Sequence, residues 1–243
     1  MLLAACATPQ VVPTAAPPSA PETRRGQFAS TFTYKDVMLR QLVYLPAKFD
    51  PTKPWPLILN LHGAAHNGAD LNQLNRDGSL PELMERSPKL EAIVLSPQIE
   101  GGNGQTRIDA LNALLDDAAR RYNADPDRIF LTGWDTGGEA AWLYAFNQPH
   151  RFAGLLPVAS KVPLNKEQLC KLNHLPIFGM HGAEDKQIPS ELVQLASLQL
   201  RDCGGNILMR TFEKTPHEAW RTAYANNEWG DWLAFRVRPK RAG

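Results

Sequence analysis

The chain has 243 residues, with 26 lysines and arginines against 25 aspartates and glutamates, a formal charge of +1 and 43% hydrophobic residues. That length holds one α/β domain with a large core and leaves little for a second. The balanced charge, without a basic block interleaved with aromatics, argues against nucleic acid and for a small-molecule partner. No apolar run approaches the about 20 residues of a membrane span.

Taken in chain order, residues 1–30 stand apart. "MLLAACATPQVVPTAAPPSAPETRRG" opens with Leu3-Ala4-Ala5-Cys6, which resembles the lipobox of bacterial lipoproteins. That resemblance implies lipidation at Cys6, a membrane association limited to the N-terminal lipid, and a place in the cell envelope, periplasmic or outer-membrane. The Pro/Ala-rich tract behind it cannot build a core and reads as a tether. Only five residues precede Cys6, however, where a secretory leader carries a charged segment and roughly 7 to 15 apolar residues. Either a longer leader belongs here, or the match is fortuitous and the protein is cytoplasmic. Residues 31–243 form the expected domain.

Within that domain, short apolar or alternating runs predict strands at residues 38–45, 57–61, 92–96, 129–132, 154–158, 176–180 and 207–212. Ile108, Leu111, Leu114, Leu115, Ala118 and Ala119 recur at helical spacing and mark a helix that packs on the sheet. Further helices are expected from 137 to about 147, 190 to 201, and 219 to 235. There is no internal repeat. The alternation predicts a mostly parallel, twisted sheet with helices on both faces.

In such sheets ligands bind beyond the carboxyl ends of the strands. Four polar loops fall there: His62-Gly63-Ala64-Ala65-His66-Asn67-Gly68; Gly133-Trp134-Asp135-Thr136-Gly137; His181-Gly182-Ala183-Glu184-Asp185; and Thr215-Pro216-His217-Glu218. The second has the form of a nucleophile elbow, G-x-S-x-G, with Asp135 in the serine's place. Taken singly, each residue has a plain structural role: Asp and Gly are ordinary turn residues, His217 follows a proline in a turn, and Asp185 suits a helix cap. Four such loops, each after a predicted strand, carry the functional argument together.

"YLPAKFDPTKPWPLILNLHGAAHNG", "DPDRIFLTGWDTGGEAAWLYAFNQPHRFAGLLPVAS", "PIFGMHGAEDKQIP" and "PHEAWRTAYANNEWGDWLAF" resemble, in order, an α/β-hydrolase. Within that superfamily the chain is similar to single-domain secreted esterases and predicted peptidases related to polyhydroxybutyrate depolymerases and feruloyl esterases. The resemblance implies the catalytic set Asp135, Asp185 and His217 in the order nucleophile, acid, histidine. It also implies an oxyanion hole from the backbone amide of Thr136 and that of Ala64 or Ala65. His62 and His181 read as loop-shaping residues. No cofactor and no metal site is implied.

The aspartate changes the chemistry expected. A carboxylate is ionised at neutral pH and needs no base to attack. Attack on an acyl carbonyl gives an anhydride, whereas attack on a saturated carbon bearing a leaving group gives an ordinary ester. Dehalogenase and epoxide hydrolase branches of the superfamily work in the second way, but they carry a cap domain after the sixth strand, for which residues 159–175 leave no room. They also tend to place Trp directly after the Asp, where this chain has Thr136. Two carboxylates around one imidazole favour its cationic form, a poor base. Two readings stand: an esterase-like hydrolase working through Asp135, and an inactive cell-envelope protein that binds a small ligand in the ancestral pocket.

Cys170 and Cys203 each precede a predicted strand, and those strands should be sheet neighbours, which places both thiols at the edge opposite the catalytic rim. They form either a disulfide or two separate buried thiols. The loops at 66–78 and 100–106 should shape the pocket.

Overall fold

In the computed structural model, residues 24–99, 105–162 and 165–239 are described. Cys6 and most of the expected tether lie outside them. Eight strands form one sheet in the order β1-β2-β4-β3-β5-β6-β7-β8. They are β1 (Gly26–Tyr34), β2 (Val37–Leu45), β3 (Trp55–Leu61), β4 (Ile93–Gln98), β5 (Ala124–Trp134), β6 (Gly154–Val158), β7 (Ile177–Gly182) and β8 (Ile207–Phe212). The first two pairings are antiparallel, and β4 through β8 run parallel.

The chain leaves β3 for β4 on one side and returns to β5 on the other, so β3 and β5 flank the point where strand order reverses. Their register sets Leu61 beside Gly133. The loops after both strands therefore emerge together, which is what the site requires.

Because side chains alternate across a strand, the sheet feeds two cores. On one face Leu57, Leu59, Leu61 and Leu131 pack against helices α2 (Gln105–Tyr122), α3 (Thr136–Asn147) and α5 (Ser190–Asp202). On the other, Ile58, Phe130, Trp134 and Leu156 meet α1 (Leu80–Arg86), α6 (Trp220–Ala225) and α7 (Glu228–Ala234). A short α4 (Lys166–Cys170) precedes β7.

Three expectations change. Strand β1 pairs with β2 along its whole length, so the domain includes residues 26–30, which the sequence assigns to the tether. Its alternation rests on Phe28, Phe32 and Tyr34, only half-buried, behind a Pro/Ala tract that masks the signal. Helix α1 is additional: the Ser79 hydroxyl accepts from the Glu82 amide and the Glu82 carboxylate accepts from that of Gly78, a variant of the S-x-x-E capping box. The helix expected over 219–235 is two, because Asn226 turns extended and its side chain accepts the Glu228 amide, capping a new start.

Cys170 and Cys203 are joined as a disulfide across a Cα separation of 5.3 Å, linking the end of α4 to the end of α5. It closes a loop of 33 residues in sequence, for which chain entropy gives about 4 kcal/mol. The expected result for Cys170→Ser is a loss of about 2 to 4 kcal/mol in urea unfolding. A change below about 0.5 kcal/mol would show the bridge to be dispensable.

Candidate active site

Strand β5 ends at Trp134 and helix α3 begins at Thr136, so one residue makes the whole turn. Asp135 holds φ 53° and ψ −126°, a conformation L-residues rarely adopt and one that costs about 1 to 3 kcal/mol. Its amide donates to the Val158 carbonyl at 3.1 Å, and its carbonyl accepts from the Gly138 and Glu139 amides. The turn is closed so tightly that a methyl group on Gly137 would lie 2.2 Å from the Leu61 carbonyl oxygen, and one on Gly133 would lie 2.3 Å from that of Gly137. These contacts lift Asp135 clear of the sheet, with its side chain still partly exposed.

The loop after β3 supplies a donor. The Ala64 amide donates to Asp135 Oδ2 at 3.1 Å, while the Ala65 carbonyl is turned toward Arg76. Of the two candidates, Ala64 is the residue whose amide reaches the elbow. Thr136 opens α3 directly beside it. His62 braces this loop from behind: its Nε2 accepts from the Ile99 amide at 2.8 Å, so its Nδ1 carries the proton and donates to the Gly63 carbonyl. Burial lowers its pKa, opposed by the bond to Gly63.

The loops after β7 and β8 bring Asp185 and His217 together. His217 Nδ1 and Asp185 Oδ2 are 2.8 Å apart, and the other carboxylate oxygen, Oδ1, accepts from the Gln187 and Ile188 amides at 2.9 Å each. Burial works against ionisation of Asp185, but the bonds from His217, Ile188 and Gln187 outweigh it and hold its pKa below the ordinary carboxylate value. His181 Nε2 bonds the Ile188 carbonyl at 2.8 Å and lies 3.5 Å from Asp185 Oδ2. Across the site, His217 Nε2 is 3.4 Å from Asp135 Oδ1. The Asp135 carboxylate thus has one oxygen on the Ala64 amide and the other facing the imidazole.

Several residues at this centre carry no signal in the sequence motifs. Trp134 and Trp220 stack at 4.2 Å beneath it, with His66 and His217 edge-on at either end. His66 is fully buried, and its Nε2 is 3.5 Å from Asp77 Oδ2. Glu139, one helical turn beyond the elbow, has a pKa raised by burial, opposed by Lys161. A narrow apolar crevice of about 20 Å³ opens between Leu61, Ile99, Ile108, Leu111, Ala140 and Leu143. Of the two loops expected to shape the pocket, 66–78 lies over this aromatic stack through Asp77, whereas residues 100–104 fall outside the described residues.

A mostly parallel eight-stranded sheet, wrapped by helices and carrying a sharp strand-to-helix elbow at its carboxyl edge, is the α/β-hydrolase fold, in its esterase-like form. The chain belongs to the phospholipase/carboxylesterase family, whose pattern matches residues 101–226, more than half of it. It is similar to a putative esterase, NocK, of Nocardia uniformis subsp. tsuyamanensis, at 27% identity over 34% of this chain and 24% of that one. It is also similar to a putative carboxymethylenebutenolidase of Salmonella typhimurium, at 29% identity over 34% of this chain and 33% of that one. The matched region thus spans a third or less of these curated relatives. Among solved structures, a thermostable esterase superposes with a TM-score of 0.76 at 23% identity, covering 88% of this chain and 64% of the other. A putative dienelactone hydrolase from Klebsiella pneumoniae gives 0.64 at 18% identity, covering 87% and 98%.

Proposed function

We propose that the protein is an esterase-like hydrolase whose reacting group is the Asp135 carboxylate, with His217, oriented by Asp185, activating the water that frees the product. One observation carries this reading: the Ala64 amide holds Asp135 Oδ2, so Oδ1 is the oxygen left to react. In a serine esterase that amide serves the substrate's carbonyl oxygen. Here it serves the carboxyl group of Asp135 itself.

The steps follow from that placement. Oδ1 forms a bond to the electrophilic carbon, and the leaving group departs with its electron pair. The resulting covalent intermediate, an alkyl ester where the carbon attacked is saturated and a mixed anhydride where it is an ester's acyl carbon, has Oδ2 as its carbonyl oxygen, already on the Ala64 amide. Water then gives a proton to His217 Nε2 and attacks Cγ of Asp135, and the charge that develops on Oδ2 is stabilised by the amide. Collapse breaks the bond between Cγ and the substrate-bound oxygen, which leaves with the product and takes the proton from His217. Asp185 keeps the imidazole in the tautomer with Nδ1 protonated throughout. The substrate is an ester or a related electrophile with a good leaving group.

The test is a paired assay of the protein and its Asp135→Ser variant on p-nitrophenyl butyrate, 1-bromobutane and 4-nitrostyrene oxide. Turnover of any of these by the unaltered protein is the expected result. An inert protein whose Asp135→Ser variant gains esterase activity would assign the fold to ligand binding, with the carboxylate closing the site.

A further inference from the structure

Nothing in the acid–base chemistry explains why two tryptophans lie face to face under this site. His217 has one short bond, from Nδ1 to Asp185 at 2.8 Å, while its Nε2 meets Asp135 Oδ1 only at 3.4 Å. A single hydrogen bond fixes a point, not a plane, and leaves the imidazole free to swing about that axis. Swinging would carry Nε2 away from Asp135.

The Trp220 ring blocks this motion. It lies three residues after His217, and the turn between them is closed by the Ala219 amide on the His217 carbonyl at 2.7 Å. The turn folds the indole back beneath the imidazole at 5.7 Å and 85°. Trp220 is in turn immobilised on two sides. Its other face stacks on Trp134 at 4.2 Å and 28°, and its Nε1 donates to the Asp77 carbonyl at 2.9 Å. Asp77 adopts φ 61°, left-handed backbone that Asp tolerates better than most residues.

Trp134 is held just as firmly. It is 1% exposed, His66 stands edge-on against it, and a methyl group on Gly63 would lie 2.3 Å from its ring. Since Trp134 precedes Asp135, and Gly63 precedes Ala64, one stack sets the histidine, the elbow and the amide donor relative to one another.

We infer that Trp220 is a positioning residue for His217: its indole, clamped between Trp134 and the Asp77 carbonyl, is the wall that fixes the imidazole plane so that Nε2 faces the reacting carboxylate. This rests on the reading in which His217 is the base. The consequence is kinetic rather than structural. A misplacement of about 1 Å costs on the order of 100-fold in rate while binding is little changed.

The experiment compares Trp220→Met, which fills much of the volume without a planar wall, with Trp220→Phe, which keeps a ring but loses the bond to Asp77. Circular dichroism establishes that each is folded. Two readouts are taken: kcat and KM on p-nitrophenyl butyrate, and the low-field proton NMR signal of His217 Nδ1–H, assigned by its loss in His217→Gln. For Trp220→Met the expected result is a kcat about 100-fold lower with KM within about 3-fold, and loss of the low-field signal. Trp220→Phe should lose about 3- to 10-fold in kcat and keep the signal. Unchanged kcat and signal in a folded Trp220→Met, with only a lower unfolding temperature, would overturn the inference. Should only the phenylalanine variant fold, its kcat decides: a 3- to 10-fold loss at constant KM supports the wall, and the unaltered value overturns it. If the unaltered protein turns over none of the probes, the functional reading fails by itself, and the NMR signal still decides whether Trp220 orients the imidazole.

Discussion

Asp135→Asn is expected to lower kcat by about 10⁴-fold or more, the scale of loss when a covalent nucleophile is removed. The substitution is nearly isosteric, and the amide oxygen can still accept from Ala64, so the elbow keeps its shape. What is lost is the negative charge on the oxygen that faces His217. Thermal unfolding should stay within a few degrees of the unaltered protein, because Asp135 is partly exposed and the Asn keeps its main contact. Retention of more than a tenth of the activity would show that Asp135 is not the reacting group. Asp135→Ser acts differently. It removes the group that occupies the Ala64 amide and offers His217 a hydroxyl, so the variant should acquire esterase activity of the ordinary acyl type on p-nitrophenyl butyrate.

Asp185→Asn is the second large effect, expected at about 10⁴-fold in kcat. Asp185 is nearly fully buried, bonded through one oxygen to His217 and through the other to two backbone amides. An amide side chain can present its NH₂ to Nδ1, which selects the tautomer with the proton on Nε2 and leaves that nitrogen without a lone pair to accept a proton from water. The same carboxyl links stability to pH. Its folded pKa lies below the unfolded value of about 4. Above that value both states are ionised and its stabilisation is fully present. As pH falls, the unfolded chain takes up the proton first, and the contribution is lost as pH descends through the lower, folded value. Unfolding free energies of the protein and Asp185→Asn, measured from pH 7 to 2.5, should therefore differ most at the upper end and converge below about pH 4. A constant gap across the range would show that the carboxyl contributes nothing through ionisation.

The sequence is most explicit where one local rule dominates. Strand β6 and the inner stretches of β3 and β5, residues 57–59 and 129–131, are apolar runs because both faces are covered there, and Gly154–Val158 appears in the sequence with its observed limits. The elbow is legible because the turn tolerates little but glycine around it. Strand β1 is obscured because an edge strand buried on one side needs only three aromatics. The aromatic stack has no sequence signature at all: Trp134, Trp220 and His66 meet only after three loops have been folded to one rim, and each is unremarkable in its own stretch. The choice between Ala64 and Ala65 likewise depends on where a 3-10 turn at Ala64–His66 points successive amides, which residue identity does not encode.

The most direct test of the central claim is where the oxygen of water goes. With enzyme in excess over p-nitrophenyl butyrate, or whichever of the three probes is turned over, a single turnover is run in H₂¹⁸O and the peptide containing Asp135 is weighed. Water that attacks Cγ leaves its oxygen in the enzyme, so the Asp135 peptide should gain about 2 Da while the released product carries unlabelled oxygen. Label found in the product alone, with the Asp135 peptide at its ordinary mass, would contradict the attack of water on Cγ of Asp135.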